Sequence, residues 1–439
     1  EKMLQDEFST VTEYNIGDNV ELGKALNNIQ PSHFTNLLLF RAQNCDRRLI
    51  KFLSILVKRS TKLEAINIEQ CNTLEYLFEV HDLIRDDAKL HGDGNYLTMV
   101  KELKLTKLYM LQRIWSIDPT GTFGLKNLQM IHIKSCPSLK YLIVSPGAEK
   151  LHQLNELKLE ACDMLKEIVY TCPAKTTKIK FPALSKVELK SLTRLKYFYG
   201  SHLELPSLKT LMIEKCPKLK EFTTGFATSY SNHTSDGKSF FELNELKLDS
   251  CDRMVVVVSS ETLQELGNLK KLSVSHCNDL ERIFKIRGEI SHYTELLQQL
   301  DELILIDLPK LTHIINMEIA KFYENLQILQ VTECKSLTWL PMSLMLTKME
   351  ISDCEALQKI IIINEEEEAG GKTIFSQLKD VTLENLKNLS VVFPSTSEFP
   401  SLETLKVENC PSLMTFVEES NEDKDLPESA SSNYFFPNS

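Results

Sequence analysis

Cysteine is the residue type in this chain whose number and spacing could most readily do chemistry. Ten of the 11 cysteines, Cys45, Cys71, Cys136, Cys162, Cys216, Cys251, Cys277, Cys334, Cys354 and Cys410, recur at one position of a repeated pattern. Such a column could be a disulfide framework, a metal site or a row of nucleophiles. A disulfide needs Cβ atoms roughly 4 Å apart with converging vectors. One cysteine per coil instead puts neighbours ~4.8 Å or more apart and pointing the same way. Zinc sites use paired C-x-x-C spacings, and the chain has none. The column therefore reads as buried thiols in a reducing compartment. Cys172 alone is off the register, in a loop, and is the one thiol free to react.

Other chemical motifs fail on their surroundings. Gly370-Gly371-Lys372-Thr373 ends like a phosphate-binding loop, but the full motif needs glycine at position 366, which is Glu366 within the run 365–368 of four carboxylates. No amphipathic helix follows it. His276 flanks Cys277, but Cys277 is on the inward register, so the two side chains should diverge. No histidine pair has H-x-x-x-H spacing, and no nucleophile motif is present. The acidic pairs single out no general acid and base. The triplets Asn232-His233-Thr234 and Asn388-Leu389-Ser390 match the glycosylation pattern, but the cysteine usage argues against a secretory route. The sequence points to no enzyme, no cofactor and no metal.

The elements that position the cysteines are repeats. Residues 208–222, LKTLMIEKCPKLKEF, have the skeleton L-x-x-L-x-I-x-x-C-x-x-L-x-x-F, which returns about fourteen times between residues 37 and 416. Clear copies begin at Leu63, Leu128, Leu154, Leu208, Leu243, Leu269, Leu326, Leu346 and Leu402. Leucine replaces the cysteine at Leu108, Leu192, Leu308 and Leu386. Self-similarity at roughly 20–30 residues marks a leucine-rich-repeat solenoid. The expected fold is an α/β repeat, a horseshoe or arc with a concave parallel β-sheet and irregular loops or short helices on the convex side. In Leu211-Met212-Ile213 the period of two sends Leu211 and Ile213 inward and Met212 outward. Cys216 turns inward at the strand end, and the proline of Cys136-Pro137, Cys216-Pro217 and Cys410-Pro411 is expected to stop the strand. Leu219 and Phe222 re-enter the core.

The whole-chain quantities agree with this. At 439 residues a compact chain would split into several domains, whereas in a solenoid each repeat buries its apolar face only against its neighbours. Net charge −11 argues against general nucleic-acid binding. The longest aliphatic runs, 255–258 and 360–363, are far too short for a membrane span. Three domain regions are expected: residues 1–33 as a flank or degenerate repeat, 34–417 as the repeat domain, and 418–439 as an acidic, disordered tail. Insertions at 80–95, 223–239 and 364–373 are long enough to be functional loops. The chain opens on Glu1, which suggests a part of something longer.

What rises above background is the outward strand face. Most of its residues are polar; the exceptions are Met212 and the cluster Ile304, Ile306 and Ile328 on adjacent strands. Exposed apolar residues on neighbouring coils are a candidate partner contact, unless loops from 293–298 or 322–325 cover them. Thr210 and Glu214 flank Met212 on the same face. The ridge Lys104, His132 and Lys158, with Lys134 beside it, could meet an acidic surface.

The turns CPSLKYL, CPKLKEF and CPSLMTF, mixed with leucine-type turns and with the openings Phe181-Pro182-x-Leu184 and Phe399-Pro400-x-Leu402, resemble the C-terminal repeats of plant coiled-coil nucleotide-binding leucine-rich-repeat disease-resistance proteins. The resemblance covers residues 34–417. It implies a cytosolic receptor whose repeats recognise a pathogen effector or a guarded host protein and restrain the nucleotide-binding domain of the same receptor. That domain is not in this sequence, and any ATP chemistry would belong to it. The competing class is the repeat module of a ubiquitin-ligase substrate adaptor, whose repeats usually follow the cysteine with a Leu-Thr-Asp and Gly-Leu pattern; here Cys-Pro-x-Leu-Lys stands instead.

Overall fold

The computed structural model describes residues 11–28, 34–84, 97–116, 125–170, 179–199, 203–220, 240–259, 263, 265–286, 297–315, 324–362, 373–393 and 397–413. The chain divides into two compact units, Glu1–Phe241 and Glu242–Ser439, each built on its own run of parallel strands. In the first unit these are β1 (Glu13–Ile16), β2 (Leu39–Gln43), β3 (Ala65–Glu69), β4 (Glu102–Thr106), β5 (Met130–Lys134), β6 (Glu156–Glu160), β7 (Lys186–Lys190) and β8 (Thr210–Glu214). The second has β9 (Glu245–Asp249), β10 (Lys271–Ser275), β11 (Glu302–Ile306), β12 (Ile328–Thr332), β13 (Lys348–Ser352), β14 (Asp380–Glu384) and β15 (Thr404–Glu408). Within each unit every strand pairs with its chain-order neighbour, without slippage, so that Leu103, Ile131, Leu157, Val187 and Leu211 lie in one row. Each unit is a leucine-rich-repeat solenoid.

The alternation of residue types makes this arrangement. From β2 to β14 the second and fourth residues of each strand are apolar or small and fully buried, and the odd positions are polar or only half-buried. Each such leucine or isoleucine contributes about 1.5–3 kcal/mol by leaving water. A slip of one residue in any strand would invert its faces, so the register is fixed by the core.

The strand exit corrects the role expected for proline. The residue immediately before each inward cysteine or its leucine equivalent has φ between 49° and 57°: Asn44, Gln70, Lys107, Ser135, Ala161, Ser191, Lys215, Ser250, His276, Asp307, Glu333, Asp353, Asn385 and Asn409. This left-handed step, and not the proline, ends the strand, because it occurs whether or not proline follows. It reorients the N–H of that residue to donate to the last carbonyl of the next strand, as from Ser135 to Glu160, Ala161 to Lys190 and Asp307 to Thr332, each at 2.9 Å. The thiol one residue later donates back to the last carbonyl of its own strand at 3.2–3.6 Å in all ten coils. The next three residues then close a tight turn, as in Leu139 N–H to Cys136 O at 3.1 Å. Pro137 is the second residue of that turn, the position its fixed φ suits.

The ten described cysteines carry free thiols, all buried except the half-buried Cys410. Burial pushes Cys136 and Cys216 up to about 12, which leaves almost no thiolate at neutral pH and makes them packing residues. Side chains of the turn loops add a second tie between coils: Ser138 Oγ donates to Tyr109 O at 2.7 Å, and Ser207 Oγ to Pro182 O at 2.6 Å.

The side opposite the main strands is more ordered than the loops or short helices expected there. It carries short parallel strands, Ile143–Val144, Glu167–Tyr170 and Tyr197–Tyr199 in the first unit, and Val256–Ser259, Arg282–Lys285 and His313–Ile315 in the second. Helices α1 (Asn19–Asn28) and α2 (Arg48–Arg59) stand near the start. There Tyr14 and the buried Phe34, Phe40 and Phe52 form an aromatic cluster with centroids 5.0–6.5 Å apart. At the other end Leu405 and Val407 of β15 are only half-buried, although they sit at the core positions. Of the expected loops, residues 80–84 form a short helix, while 85–95, 223–239 and 364–372 lie outside the described residues, as do Phe222, Cys172 and the tail.

Two substitutions test this account. Cys216→Asp should cost several kcal/mol, because it puts a carboxylate into a buried position of the core, and should lower the urea midpoint sharply. Ala161→Gly should stabilise by up to ~1 kcal/mol and raise that midpoint, since glycine carries no left-handed penalty, whereas Ala161→Val should lower it.

Candidate functional site

With the even positions buried, recognition chemistry is confined to the odd ones. In the first unit the central column runs Arg41, Asn67, Lys104, His132, Lys158, Glu188 and Met212 from β2 to β8. The structure thus brings Lys104, His132 and Lys158 onto adjacent strands, and Lys134 lies at the end of the same strand as His132. Carboxylates neutralise most of this ridge. Lys158 Nζ lies 2.8 Å from Glu156 and 3.7 Å from Glu188, and Lys134 lies 3.0 Å from Glu160. Each such half-exposed pair contributes at most ~1 kcal/mol, but together they leave much less positive surface than the sequence suggests. On β8, Thr210, Met212 and Glu214 face outward and are half-buried; Glu214 pairs with Lys190 at 3.2 Å.

In the second unit Ile304 and Ile306 occupy outward positions of β11 and Ile328 the first position of β12, all half-buried. Ile304 lies between Ser273 and Gln330, Ile306 between Ser275 and Thr332, and Ile328 between Glu302 and Lys348. They form a diagonal apolar island in polar rows. Of the loops that might have covered it, 293–296 and 322–323 lie outside the described residues. Gln298 and Asn325 bond to each other beside the strands, Asn325 Nδ2 donating to Gln298 O at 2.6 Å. Larger exposed apolar side chains lie where the sequence did not direct attention: Met99, Phe241 and Met345 precede strands, and Tyr109 and Met110 follow β4. The last two were legible, because Leu108-Tyr109-Met110-Leu111 stands where other coils have Cys-Pro-Ser-Leu.

The motifs that could suggest catalysis are built for structure. Ser275 Oγ and His276 Nδ1 both lie 2.7 Å from Asp249 Oδ1, and Ser250 Oγ donates to Asp249 Oδ2 at 3.2 Å. Burial opposes the charge on Asp249, but hydrogen bonds from His276 and Ser275 outweigh it and hold the carboxyl below its usual range. Both hydroxyls bond the carboxylate and neither bonds the imidazole, so the histidine activates no nucleophile. Cys277 points inward, away from the exposed His276. Thr373 begins a two-residue strand paired with Ser397–Glu398, where a phosphate loop would open a helix. Asn388 Nδ2 is committed to Glu355 O at 2.7 Å. Among the described residues no three His, Cys, Asp or Glu side chains cluster as metal ligands, and no helix is long and apolar enough to cross a membrane.

Comparison with known proteins gives a family. The family model described as "Plant disease resistance protein RPS2-like, leucine-rich repeats" matches residues 13–163, 227–345 and 340–424. The disease resistance protein SUMM2 of Arabidopsis thaliana is 31% identical over 182 residues, which is 40% of this chain and 18% of that protein. A second Arabidopsis thaliana protein, provisionally named for disease resistance, is 28% identical over 153 residues, 35% of this chain and 11% of that protein. The chain therefore matches less than a fifth of the length of either. A solved leucine-rich-repeat protein of Leptospira interrogans aligns over 92% of this chain and 93% of its own at 15% identity and a TM-score of 0.37. An internalin of Listeria monocytogenes aligns over 74% and 88% at 13% identity and 0.27. Similarity at that level adds nothing to the fold described above.

His132 reports on the electrostatics of the ridge. Burial, Lys104, Lys158 and Lys134 push its pKa below the ordinary 6.5, against a smaller opposing pull from Glu160. Between the depressed folded value and 6.5 the unfolded chain binds the additional proton, so stability falls as pH drops through that window and levels off below it. Lys104→Met should raise the His132 midpoint in an NMR titration of its ring protons; an unchanged midpoint would show that the ridge does not act as one field.

Proposed function

This chain belongs to the plant disease resistance protein RPS2-like leucine-rich-repeat family, and on that premise we propose that it is the recognition surface of an intracellular immune receptor. Its outward strand face binds a pathogen effector or a host protein that the effector modifies. In the full-length receptor the same repeats restrain a nucleotide-binding domain until that contact is made. The receptor works in the cytosol, where the thiol column stays reduced.

One observation carries this reading: residues that build the coil and residues that face solvent are separated position by position along β2 to β14. Protein recognition needs a broad surface whose chemistry can vary while the scaffold stays fixed, and this alternation supplies it. The island of Ile304, Ile306 and Ile328 is the apolar centre such an interface needs, with a polar rim in Ser273, Gln330 and Thr332. Met212, with Thr210 and Glu214, and the Lys104–His132–Lys158 ridge are secondary contacts on the first unit.

The function is tested by co-expressing the full receptor with candidate effectors in leaf tissue and scoring cell death. Replacing Ile304, Ile306 and Ile328 together by Asp should abolish partner capture in a pull-down and the cell-death response, with circular dichroism unchanged. Undiminished capture by that variant would remove the island from the interface. A collapsed dichroism spectrum would place the three side chains in the core.

A further inference from the structure

The first unit holds a cavity of about 500 Å³ on its outward face, over β1 to β4. Its floor is the start of the central column, Asn15, Arg41, Asn67 and Lys104, in which amides and cations alternate. Three features of this floor concern its charge and its unmet hydrogen bonds. First, Arg41 Nη1 already holds a carboxylate of the chain itself, that of Glu13, at 2.9 Å. Second, among the described residues Lys104 has no carboxylate partner. Every other lysine or arginine at an outward position of β1 to β8 is paired: Arg41, Lys134, Lys158, Lys186 and Lys190 each lie within 3.2 Å of a carboxylate. Glu69, the acidic side chain of the cavity wall, is taken by Lys107 at 3.3 Å, so it does not serve Lys104. Third, between the two cations Asn67 Oδ1 is buried and, among the described residues, accepts no hydrogen bond. A buried acceptor without a donor is destabilising, and a rotation of the Asn67 amide into the groove would let a ligand N–H relieve it.

We propose that this groove binds an extended, acidic peptide segment of a partner protein, seating a carboxylate on Lys104 and a peptide N–H on Asn67 Oδ1. The dimensions fit a short segment: four strands at ~4.8 Å spacing span ~14 Å, the length of about four extended residues at ~3.4 Å each. The Glu13–Arg41 pair shows the kind of contact this column makes, and Lys104 repeats the cation two strands along with its partner position open. The inference rests on the reading that the strand face binds proteins, and it names the chemistry of one contact on it.

The probe is a fluorescein-labelled tetra-glutamate peptide, titrated against the full chain by fluorescence anisotropy at low salt, with tetra-glutamine as the neutral control. Tetra-glutamate should bind and tetra-glutamine should not. Lys104→Met should weaken binding about tenfold, as expected for a hydrogen bond to a charged group. Asn67→Asp, which puts a carboxylate on the floor, should weaken it further. Lys126→Met, an exposed lysine outside the groove, should have no effect. Failure of tetra-glutamate to bind, or equal binding by the Lys104 and Lys126 variants, would overturn the proposal. If the isoleucine triple variant loses its protein partner while Lys104→Met keeps both partner and peptide binding unchanged, the recognition reading survives and this groove is removed from it.

Discussion

Each coil must leave its strand within one residue and return the chain to the same register one coil later. The left-handed residue before every inward cysteine or leucine meets that constraint. Its backbone costs about 1–2 kcal/mol for most side chains, and it is tolerated because its N–H then extends the ladder to the next strand while the following side chain drops into the core. A right-handed or extended residue at Ser135 or Asp307 would aim that N–H elsewhere. It would also carry Cys136 or Leu308 to the surface. The parallel ladder, the thiol column and the outward face all depend on that step.

Much of this was legible from residue types and the rest was not, for identifiable reasons. The rows such as Leu103, Ile131 and Leu157 were legible because burial demands apolar residues at a period of two. The cysteine column was legible as packing because no pairing geometry suits it. The left-handed step was hidden because the residues that adopt it are as different as Ala161, Lys215, Glu333 and Asn409; only the asparagines and aspartates hint at it. The strands opposite the main sheet were hidden because loop length varies from coil to coil and breaks the pattern there. On the candidate face the positions were legible and the electrostatics were not. Lys104, Lys134 and Lys158 look alike in sequence, yet two of them are neutralised by neighbours a coil away or across one strand, and one is not.

The face itself is a set of weak, independent contacts over a rigid lattice. Its ion pairs contribute little to stability, so they can be exchanged without loss of fold. The apolar island of the second unit and the polar groove of the first differ in kind. In the proposed interface the island would give affinity through desolvation, and the groove selectivity through unmet charge and hydrogen-bonding demand.

The half-buried Leu405 and Val407 of β15 have a thermodynamic consequence. In a one-dimensional stack each coil is held by its neighbours, so the energy of melting it depends on whether one interface or two must be broken. Among the described coils of the second unit, that of β15 has its spine partly in water and is the easiest to lose, and its loss exposes the next. On this ground the second unit should melt as a travelling front that starts at β15 and moves toward β9, and backbone amides along it should exchange with solvent in a gradient.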